Sequence, residues 1–186
     1  PWRRGTTMRT IELPSAEKFM EARFTAGTAL LCAVSGGLDS MCLLDFTVRW
    51  AEGRGISVAA AHFHHGLRGE AADRDEAFVR DYCAARGVPF VSGRGDTRAL
   101  AAAEGLSVEE AARRLRYAFL EEAAVERNCA AILTAHHADD NAETMLLNLC
   151  RGAGSAGLGI PAARGTVYRP FLELARVDLE AYAAGR

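Results

Sequence analysis

A short string with two glycines between hydroxyl and carboxylate side chains, "SGGLDS" at Ser35–Ser40, has the residue types of a phosphate-binding loop. It follows an apolar run and precedes a helix-like pattern, so it lies where a strand turns into a helix. Glycines at such a junction can take positive φ angles and let backbone N–H groups approach a ligand. The N-terminus of the following helix adds about half a positive charge at the same place. The string therefore predicts a site for a phosphate group.

The residues of this loop exclude two commoner phosphate-binding motifs. A Walker loop requires G-x-x-x-x-G-K-[ST], and the single lysine of the chain, Lys18, lies far from the glycines. A dinucleotide fingerprint requires G-x-G-x-x-G, which Ser35–Ser40 does not contain. A tight turn with a helix cap would explain Ser35 and Gly36, but it has no need of the whole string.

Histidines and carboxylates form the second group of residues that could do chemistry. All five histidines fall into two clusters that we expect directly after strands: His62, His64 and His65, then His136 and His137. The second cluster continues into Asp139, Asp140 and Glu143. Acidic residues in a first helical turn complement the helix dipole, but Asp140 and Glu143 also share a face that we expect to point toward the site. A zinc site is an alternative, although neither a paired cysteine nor H-E-x-x-H accompanies the histidines.

Arginines lie on a long predicted helix over Ser107–Arg127, which Ser107 opens with a capping box. Its spacing predicts a buried apolar stripe of Val108, Ala111, Ala112, Leu115, Phe119 and Ala123. Glu109, Arg113 and Arg116 follow one flank. They form either a solvated ion-pair stripe or a contact to phosphate or RNA, for which a guanidinium is better suited than lysine.

Alternating strands and helices must position these residues. We predict strands at Thr28–Val34, Ile56–Phe63, Val88–Val91, Ala130–Ala135 and Val167–Phe171. We predict helices at Ala16–Phe24, Leu38–Ala51, Ala71–Ala85, Ser107–Arg127, Asp139–Cys150 and Leu174–Ala183. This order predicts an α/β fold, a doubly wound open parallel sheet of about five strands with helices on both faces. Ligands bind outside the carboxyl ends of such strands, where the glycine loop and both histidine clusters would meet.

Composition sets the class of protein. The 186 residues, 49% hydrophobic and 25% charged, predict one globular domain over 28–186, preceded by a leader and short helix over 1–27. No apolar run is long enough to span a bilayer, so we expect a cytoplasmic protein. The net charge of −2 gives no global sign of nucleic-acid binding.

Two further features are the cysteines and a glycine-rich segment. We expect the cysteines, which contain no C-x-x-C pair, to be reduced core residues: Cys32, Cys42, Cys83, Cys129 and Cys150. The segment Arg151–Gly165 is either a connecting loop or a mobile flap over a site.

The string S-G-G-x-D-S resembles the PP-loop of the N-type ATP pyrophosphatases, enzymes that cleave ATP between the α- and β-phosphates and adenylate a substrate. The resemblance implies that the loop holds the phosphates and that Asp39 lies near a Mg²⁺ ion. It implies an adenine against Ala33 and the end of the second strand around Phe63. The implied ATP-binding residues are Ala33, Ser35, Gly36, Gly37, Leu38, Asp39, Ser40 and Phe63.

Longer strings are similar to one family, the tRNA(Ile)-lysidine synthetases: "AVSGGLDSMCLL", "HFHHGLRGEAADRDEAFVRDYCAARGVPF", "GLSVEEAARRLRYAFL", "ILTAHHADDNAETMLLNLCRGAGSAGLGIP" and "RPFLEL". They follow the family's order over most of Ala29–Leu174. His64 departs from the family, whose members commonly carry Asn or Asp at that position. Family members also usually continue into tRNA-binding domains that this chain does not contain.

This second resemblance implies ATP-dependent adenylation of the wobble cytidine of tRNA(Ile) with a CAU anticodon, followed by attack of L-lysine. The implied catalytic residues are Asp39, Arg113, His136, Asp140 and Glu143, and the implied tRNA or lysine contacts are Arg113, Arg116, His137 and Asp140. The sequence leaves open whether the protein forms a homodimer.

Other functions stay open at this point. Thiolating PP-loop enzymes that act on cytidine typically carry C-x-x-C pairs, whereas GMP and NAD synthetases share the loop but lack "HHADDNAET…RGAGSAGL". A non-catalytic nucleotide-binding module would need the glycines alone. Whether bound ATP yields AMP and pyrophosphate or stays whole discriminates these classes.

Overall fold

The computed structural model describes residues 12–67, 69–152 and 158–186. A six-stranded sheet crosses them, built from β1 (Ala29–Ala33), β2 (Ser57–His64), β3 (Phe90–Arg94), β4 (Ala131–Leu133), β5 (Ala163–Arg164) and β6 (Val167–Tyr168). The strands lie in the order β3-β2-β1-β4-β6-β5, and β5 alone runs antiparallel to its neighbour. The doubly wound, mostly parallel α/β fold is therefore confirmed.

The prediction of five strands is one short, because β5 and β6 form a hairpin. Arg164 pairs with Val167, which leaves a two-residue turn whose Gly165 has a φ of +58°. Such tight turns favour glycine because it takes positive φ without steric cost. Two-residue strands are too short to show a period of their own in the sequence.

Helices cover both faces of the sheet: α1 (Pro14–Glu21), α2 (Leu38–Ala51), α3 (Glu70–Ala85), α4 (Thr97–Glu104), α5 (Val108–Glu126), α6 (Ala138–Cys150) and α7 (Arg176–Ala184). The predicted bounds of α2 are confirmed at both ends. Helix α4 is not among the predicted helices, although Asp96 caps its first turn by accepting from the Ala99 N–H at 2.9 Å and Gly105 ends it at a φ of +66°.

Apolar residues pack on each side of the sheet. Leu30 belongs to the cluster that also contains α1, α2, α3 and α7 residues, whereas its neighbour Leu31 belongs to the cluster with α5. Successive strand residues point to opposite faces, so a strand buried on both sides reads as a continuous apolar run. The α1 residues Ala16 and Met20 are fully buried, so this helix is part of the same core.

Two expectations about burial need correction. Val108 is 47% exposed, and the buried residues of α5 are Ala111, Leu120, Ala123 and Ala124. The first turn of α5 therefore lies outside the sheet interface, while residues further along pack on β2 and β4. Cys150 is exposed because α6 buries none of its side chains. All five cysteines are free thiols, and burial raises the pKa of Cys32 to about 12.

The described part of the glycine-rich segment is anchored at its C-terminal end. Asn148 Nδ2 donates to the Leu158 carbonyl at 2.8 Å, and Asn141 Oδ1 accepts from the Ile160 N–H at 2.6 Å. Residues 153–157, on which the expectation of a flap depends, lie outside the described residues. Within the described ranges, no helix combines the length and apolarity needed to cross a bilayer.

Candidate active site

The order of the strands reverses between β1 and β4. The chain proceeds from β1 to β2 and β3 on one side and then returns to β4 on the other. The loops that follow β1 and β4 therefore diverge and leave a crevice at the carboxyl edge of the sheet. A cavity of about 530 Å³ occupies this crevice, a size typical of small-molecule sites.

Loops, strand ends and several helices line this cavity. The loop after β1 and the first turn of α2 contribute Ser35, Gly37, Asp39 and Ser40. The strand ends contribute Ala33, Val34, Ala61, His62, Phe63, His64 and Thr134. Helices α5 and α6 and the segment before α6 contribute Ala112, Arg116, Leu120, Ala135, His136 and Asp140. The predicted phosphate loop and the second histidine cluster thus face one space.

Hydroxyl groups fold the loop on itself. The Ser35 N–H donates to Ser40 Oγ at 3.1 Å, and Ser40 Oγ donates to the Gly37 carbonyl at 2.9 Å. The Gly37 N–H donates to Ser35 Oγ at 3.3 Å. The side chains of the two serines therefore stabilise the conformation of the loop.

The two glycines of the loop differ in what they contribute. Gly36 has a φ of +90°, and a Cβ built there would lie 3.0 Å from Asp75 Cβ. Gly37 has a φ of −75°, so of the two glycines of the loop Gly36 alone uses the positive-φ conformation that both can adopt. Gly37 is instead the N-cap of α2 and has no side chain to cap it. The first N–H groups of α2 therefore lack intrahelical partners, and Gly37, Asp39 and Ser40 at this end of the helix line the cavity.

A chain of polar contacts joins the loop to α6. His137 is buried, and its Nε2 lies 3.8 Å from Asp39 Oδ2 and 3.5 Å from Asp140 Oδ2. Asp39 Oδ1 is buried and has no hydrogen-bond partner among the described residues. His137 thus sets the spacing of two carboxylates that come from opposite sides of the switch point.

Asp140 has two roles in the structure. Its Oδ2 accepts from the His137 N–H at 2.9 Å, which caps the first turn of α6. The side chain also lines the cavity. Glu143, by contrast, is exposed and is not part of the cavity wall, so the expectation that it faces the site together with Asp140 is wrong. It lies almost a full turn further along α6, away from the sheet edge.

His136 lies near three arginines, Arg113, Arg116 and Arg169. Its Nδ1 lies 2.9 Å from Thr134 Oγ1, which leaves Nε2 for a ligand. Burial lowers the pKa of His136 to about 4, and the charges of Arg169, Arg116 and Arg113 act in the same direction, while Asp140 opposes them. The imidazole is therefore neutral at physiological pH.

The arginines of α5 are placed differently from each other. The Arg116 side chain forms part of the cavity wall, whereas Arg113 is exposed and lies outside it. The guanidinium carbon of each lies over the Tyr117 ring, at 5.0 Å for Arg113 and 5.4 Å for Arg116. Neither forms an ion pair with a described carboxylate, so the stripe with Glu109 is not an ion-pair ladder.

The first histidine cluster is mainly structural. His62 and His64 lie inside β2, not after it as expected. His62 Nδ1 lies 2.9 Å from the Val34 carbonyl and ties β2 to the start of the loop, and burial lowers its pKa. His64 Nδ1 accepts from the Gly66 N–H at 3.1 Å.

An apolar wall closes the β2 side of the cavity. The Phe63 ring lies 5.5 Å from that of Phe119 and 4.9 Å from that of His65. A Cβ on Gly93 would lie 2.4 Å from Phe119, so the aromatic ring needs a glycine beneath it on β3. Phe63 and Ala33 both line the cavity and make this part of its wall apolar.

Most residues predicted for the site are therefore brought together. Those that line the cavity are Ala33, Ser35, Gly37, Asp39, Ser40, Phe63, Arg116, His136 and Asp140, and those that do not are Gly36, Leu38, Arg113, His137 and Glu143. Gly36 and His137 still act on its shape through the backbone and the contacts above. The individual roles given to all these residues stay predictions.

Two arginines near the site are missing from the sequence analysis. Arg169, after β6, is 4% exposed, donates from Nη1 to the Pro161 carbonyl at 2.7 Å and leaves Nε without a described partner. Arg176 Nη1, at the start of α7, lies 3.6 Å from Asp39 Oδ2. The string "RPFLEL" contains Arg169, but no local pattern marks either residue, because their neighbours at the site are distant in the sequence.

Comparisons with known proteins agree with this geometry. Residues 10–186 match the PP-loop domain family. The tRNA(Ile)-lysidine synthase of Chlorobaculum tepidum is 47% identical over 157 residues, a match that covers 84% of this chain and 47% of that protein. The enzyme of the same name from Geobacter sulfurreducens is 45% identical over 166 residues, covering 88% of this chain and 35% of that protein. This chain thus spans half or less of the length of these curated relatives.

Solved structures share the fold. The U34-tRNA thiolase NcsA from Methanococcus maripaludis, solved with its [4Fe-4S] cluster, superposes with a TM-score of 0.74 at 14% identity, covering 92% of this chain and 63% of that one. An NH3-dependent NAD synthetase from Campylobacter jejuni superposes with a TM-score of 0.56 at 16% identity, covering 91% of this chain and 67% of that one.

Proposed function

Because the chain belongs to the PP-loop domain family, we propose that it is the ATP-binding, catalytic part of a tRNA(Ile)-lysidine synthetase. The observation that carries the proposal is the meeting of the Ser35–Ser40 loop and Asp140 across one cavity, with His137 between them. Similarity to the tRNA(Ile)-lysidine synthases supports the substrate assignment. The proposal includes a cytoplasmic location, tRNA(Ile) with a CAU anticodon and L-lysine as partners.

ATP binds with its phosphates over the loop and the N-terminus of α2. The N–H groups of that first turn lack helical partners, and the helix dipole favours an anion there. The adenine lies against Ala33 and Phe63, where the wall is apolar. A polar end and an apolar end of one cavity match the two ends of a nucleotide.

The donors at Asp39 suit a Mg²⁺ ion. This ion prefers oxygen ligands and is commonly held by one or two carboxylates together with phosphate oxygens and water. Asp39 Oδ1, buried without a hydrogen-bond partner among the described residues, is a carboxylate oxygen that a cation would satisfy. Bound Mg²⁺ would neutralise charge on the phosphates. Groups of three or more His, Cys, Asp or Glu that would hold a metal by themselves do not occur in the described ranges.

The adenylation step is a displacement at phosphorus. The 2-carbonyl oxygen of the wobble cytidine forms a bond to the α-phosphorus, and the bond to the oxygen bridging the β-phosphorus breaks, so pyrophosphate leaves with the electron pair. Charge accumulates on the phosphate oxygens, and Arg116 on the cavity wall can stabilise it. Arg113 lies beside it on α5 and adds positive potential, or contacts the tRNA backbone.

The second step needs a deprotonated amine. The ε-amine of L-lysine attacks C2 of the adenylated cytidine, and AMP leaves with the former carbonyl oxygen. Asp140 is the carboxylate that α6 contributes to the cavity, next to His136, so it attracts the lysine ammonium and receives its proton. Neutral His136, whose Nε2 is free of Thr134, holds the amine by a hydrogen bond.

The test follows both steps in one reaction. The purified chain is mixed with ATP, Mg²⁺, a tRNA(Ile) transcript with a CAU anticodon and L-lysine, and AMP, pyrophosphate and the modified nucleoside are measured by mass spectrometry. We expect Asp39→Asn to lose pyrophosphate release and lysidine together. Asp140→Asn keeps ATP–pyrophosphate exchange and loses lysidine, because it acts after adenylation.

Glu121→Gln, an exposed change on α5, is the matched control and should behave as the unchanged chain. Formation of ADP and orthophosphate, or a nucleoside that carries sulfur instead of lysine, contradicts the proposal. An Asp140→Asn variant with full lysidine yield removes Asp140 from the second step.

A further inference from the structure

A guanidinium from the C-terminal helix lies beside the carboxylate of the phosphate loop. Arg176 is the first residue of α7, and its Nη1 lies 3.6 Å from Oδ2 of Asp39 in the first turn of α2. The Arg176 side chain is 50% exposed and that of Asp39 26% exposed. The contact joins the start of α7 to the start of α2, where Asp39 lines the cavity.

The loop lacks a cation of its own. The one lysine of the chain, Lys18, lies on α1, and "SGGLDS" contains no basic residue. A triphosphate nevertheless brings three to four negative charges that need neutralising partners at short range. In the part of the chain that the structure describes, Arg176 is the arginine within ion-pair distance of Asp39, while Arg116 stands on the α5 wall.

The present partners of Arg176 hold it loosely. Its Nε donates to Glu180 Oε1 at 3.1 Å, one turn along the same helix, and its backbone N–H lies 3.4 Å from Asp139 Oδ2. Half-exposed ion pairs of this kind are weak, because water competes for both partners. The guanidinium can therefore exchange Asp39 for a phosphate oxygen at little cost.

The backbone of Arg176 is held in place by the packing of α7, in contrast to its guanidinium group. Leu179 and Tyr182 of α7 are buried, and Tyr182 Oη donates to Asp45 Oδ2 at 2.7 Å. Cys42 Sγ donates to the Leu179 carbonyl at 3.5 Å. Asp45 and Cys42 both belong to α2, so α7 is fixed to the helix whose N-terminus forms the loop. The backbone of Arg176 therefore stays at a constant distance from the phosphate site.

We propose that Arg176 is a phosphate contact that pairs with Asp39 in the empty loop and turns to the β- and γ-phosphates when the nucleotide binds. The inference rests on the proposed function. When the bond between the α-phosphorus and the bridging oxygen breaks, the electron pair goes to pyrophosphate, and Arg176 neutralises that leaving group. A planar guanidinium suits this role because it donates two parallel hydrogen bonds to phosphate oxygens.

The experiment compares nucleotides that differ in their phosphates. Dissociation constants of ATP and AMP are measured by calorimetry or competition for the unchanged chain, Arg176→Ala, Arg176→Lys and Glu180→Ala. AMP lacks the two phosphates that Arg176 contacts. We expect Arg176→Ala to weaken ATP binding about tenfold and to leave AMP binding unchanged, with Arg176→Lys in between. Glu180→Ala, which removes only the intrahelical partner, leaves both affinities unchanged.

Three outcomes overturn the inference. An unchanged ratio of ATP to AMP affinity in Arg176→Ala means that the guanidinium does not touch the outer phosphates. An equal loss for both nucleotides, with a lowered melting temperature, means that Arg176 only supports the fold. A loss seen with Mg²⁺ and not in EDTA means that it acts through the metal. If the unchanged chain fails to bind ATP, the proposed function itself fails, and the inference fails with it.

Discussion

At the scale of single residues, the site separates charges that would otherwise cancel. His136 is kept neutral by burial and by the neighbouring arginines, whereas Asp39 and Asp140 both lie close to Nε2 of the next residue, His137. Arg116 and buried Arg169 form no ion pair with a described carboxylate, so their charge remains for an anionic ligand. A cavity with arginines on one side and aspartates on another can bind both a phosphate and an ammonium group.

The lowered pKa of His136 predicts a pH effect on stability. In the unfolded chain this group binds a proton near its ordinary value of 6.5, and in the folded chain only near 4. Between these values the unfolded state binds more protons, so stability falls as the pH falls. We expect His136→Asn to reduce the loss in unfolding free energy between pH 7.5 and 4.5 by roughly 2 kcal/mol. Urea denaturation at both pH values measures it; equal losses in the two proteins contradict the assignment.

At the scale of elements, the phosphate loop depends on one backbone conformation. Gly36 turns the chain at a φ of +90° under Asp75 of α3, and the two serines close the loop behind it. A side chain at Gly36 would be strained by its φ and crowded by Asp75. The loop is therefore shaped by α3 as well as by its own residues.

Gly36→Ala tests this dependence. Positive φ costs a non-glycine residue about 1–2 kcal/mol, and relief of the 3.0 Å contact with Asp75 would shift the loop. We expect lower stability and a loss of ATP affinity of about tenfold or more. The control is Gly53→Ala, at a φ of +72° with nothing within 4 Å of the added Cβ, which carries the same strain far from the site. It should lose stability and keep its ATP affinity; equal ATP affinity in the two variants would contradict the role of Gly36.

At the scale of the whole molecule, one buried carboxylate joins three helices. Asp45 of α2 accepts from Tyr82 Oη at 2.8 Å and Tyr182 Oη at 2.7 Å, and from Arg49 Nε at 2.8 Å and Arg86. Burial alone would raise the pKa of Asp45, but these donors hold it well below its usual range. Its stabilising contribution is present above the ordinary pKa of an aspartate and is lost as the pH falls toward the lowered value.

Asp45→Asn keeps the shape of this residue and removes its charge. Because it leaves buried donors and cations without their anion, we expect a loss of about 3 kcal/mol in unfolding free energy, measured by urea denaturation at pH 7. Asp81→Asn, an exposed change on α3, serves as the control and should unfold like the unchanged chain. Since Asp45 also fixes α7, the variant should bind ATP more weakly at temperatures where it remains folded. Stability equal to that of the control contradicts the role of Asp45 in joining the helices.

The local features of this protein can be predicted from its amino-acid sequence. The apolar runs of β1 and β4 predict strands, and the capping box at Ser107 and the full extent of α2 follow from spacing. These signals are local because helix and strand periods and cap hydrogen bonds span only a few residues. The same holds for the glycine loop, whose position after a strand could be read directly.

The surroundings of these local features depend on the three-dimensional packing of the chain. It turned Asp140 toward the cavity and Glu143 away, although both lie on one helix. It also placed Arg176 beside Asp39 and left Cys150 exposed on a helix without buried residues. Such contacts depend on how distant elements pack, and the free energy that selects them comes from the burial of both faces of the sheet, which no short window of sequence contains.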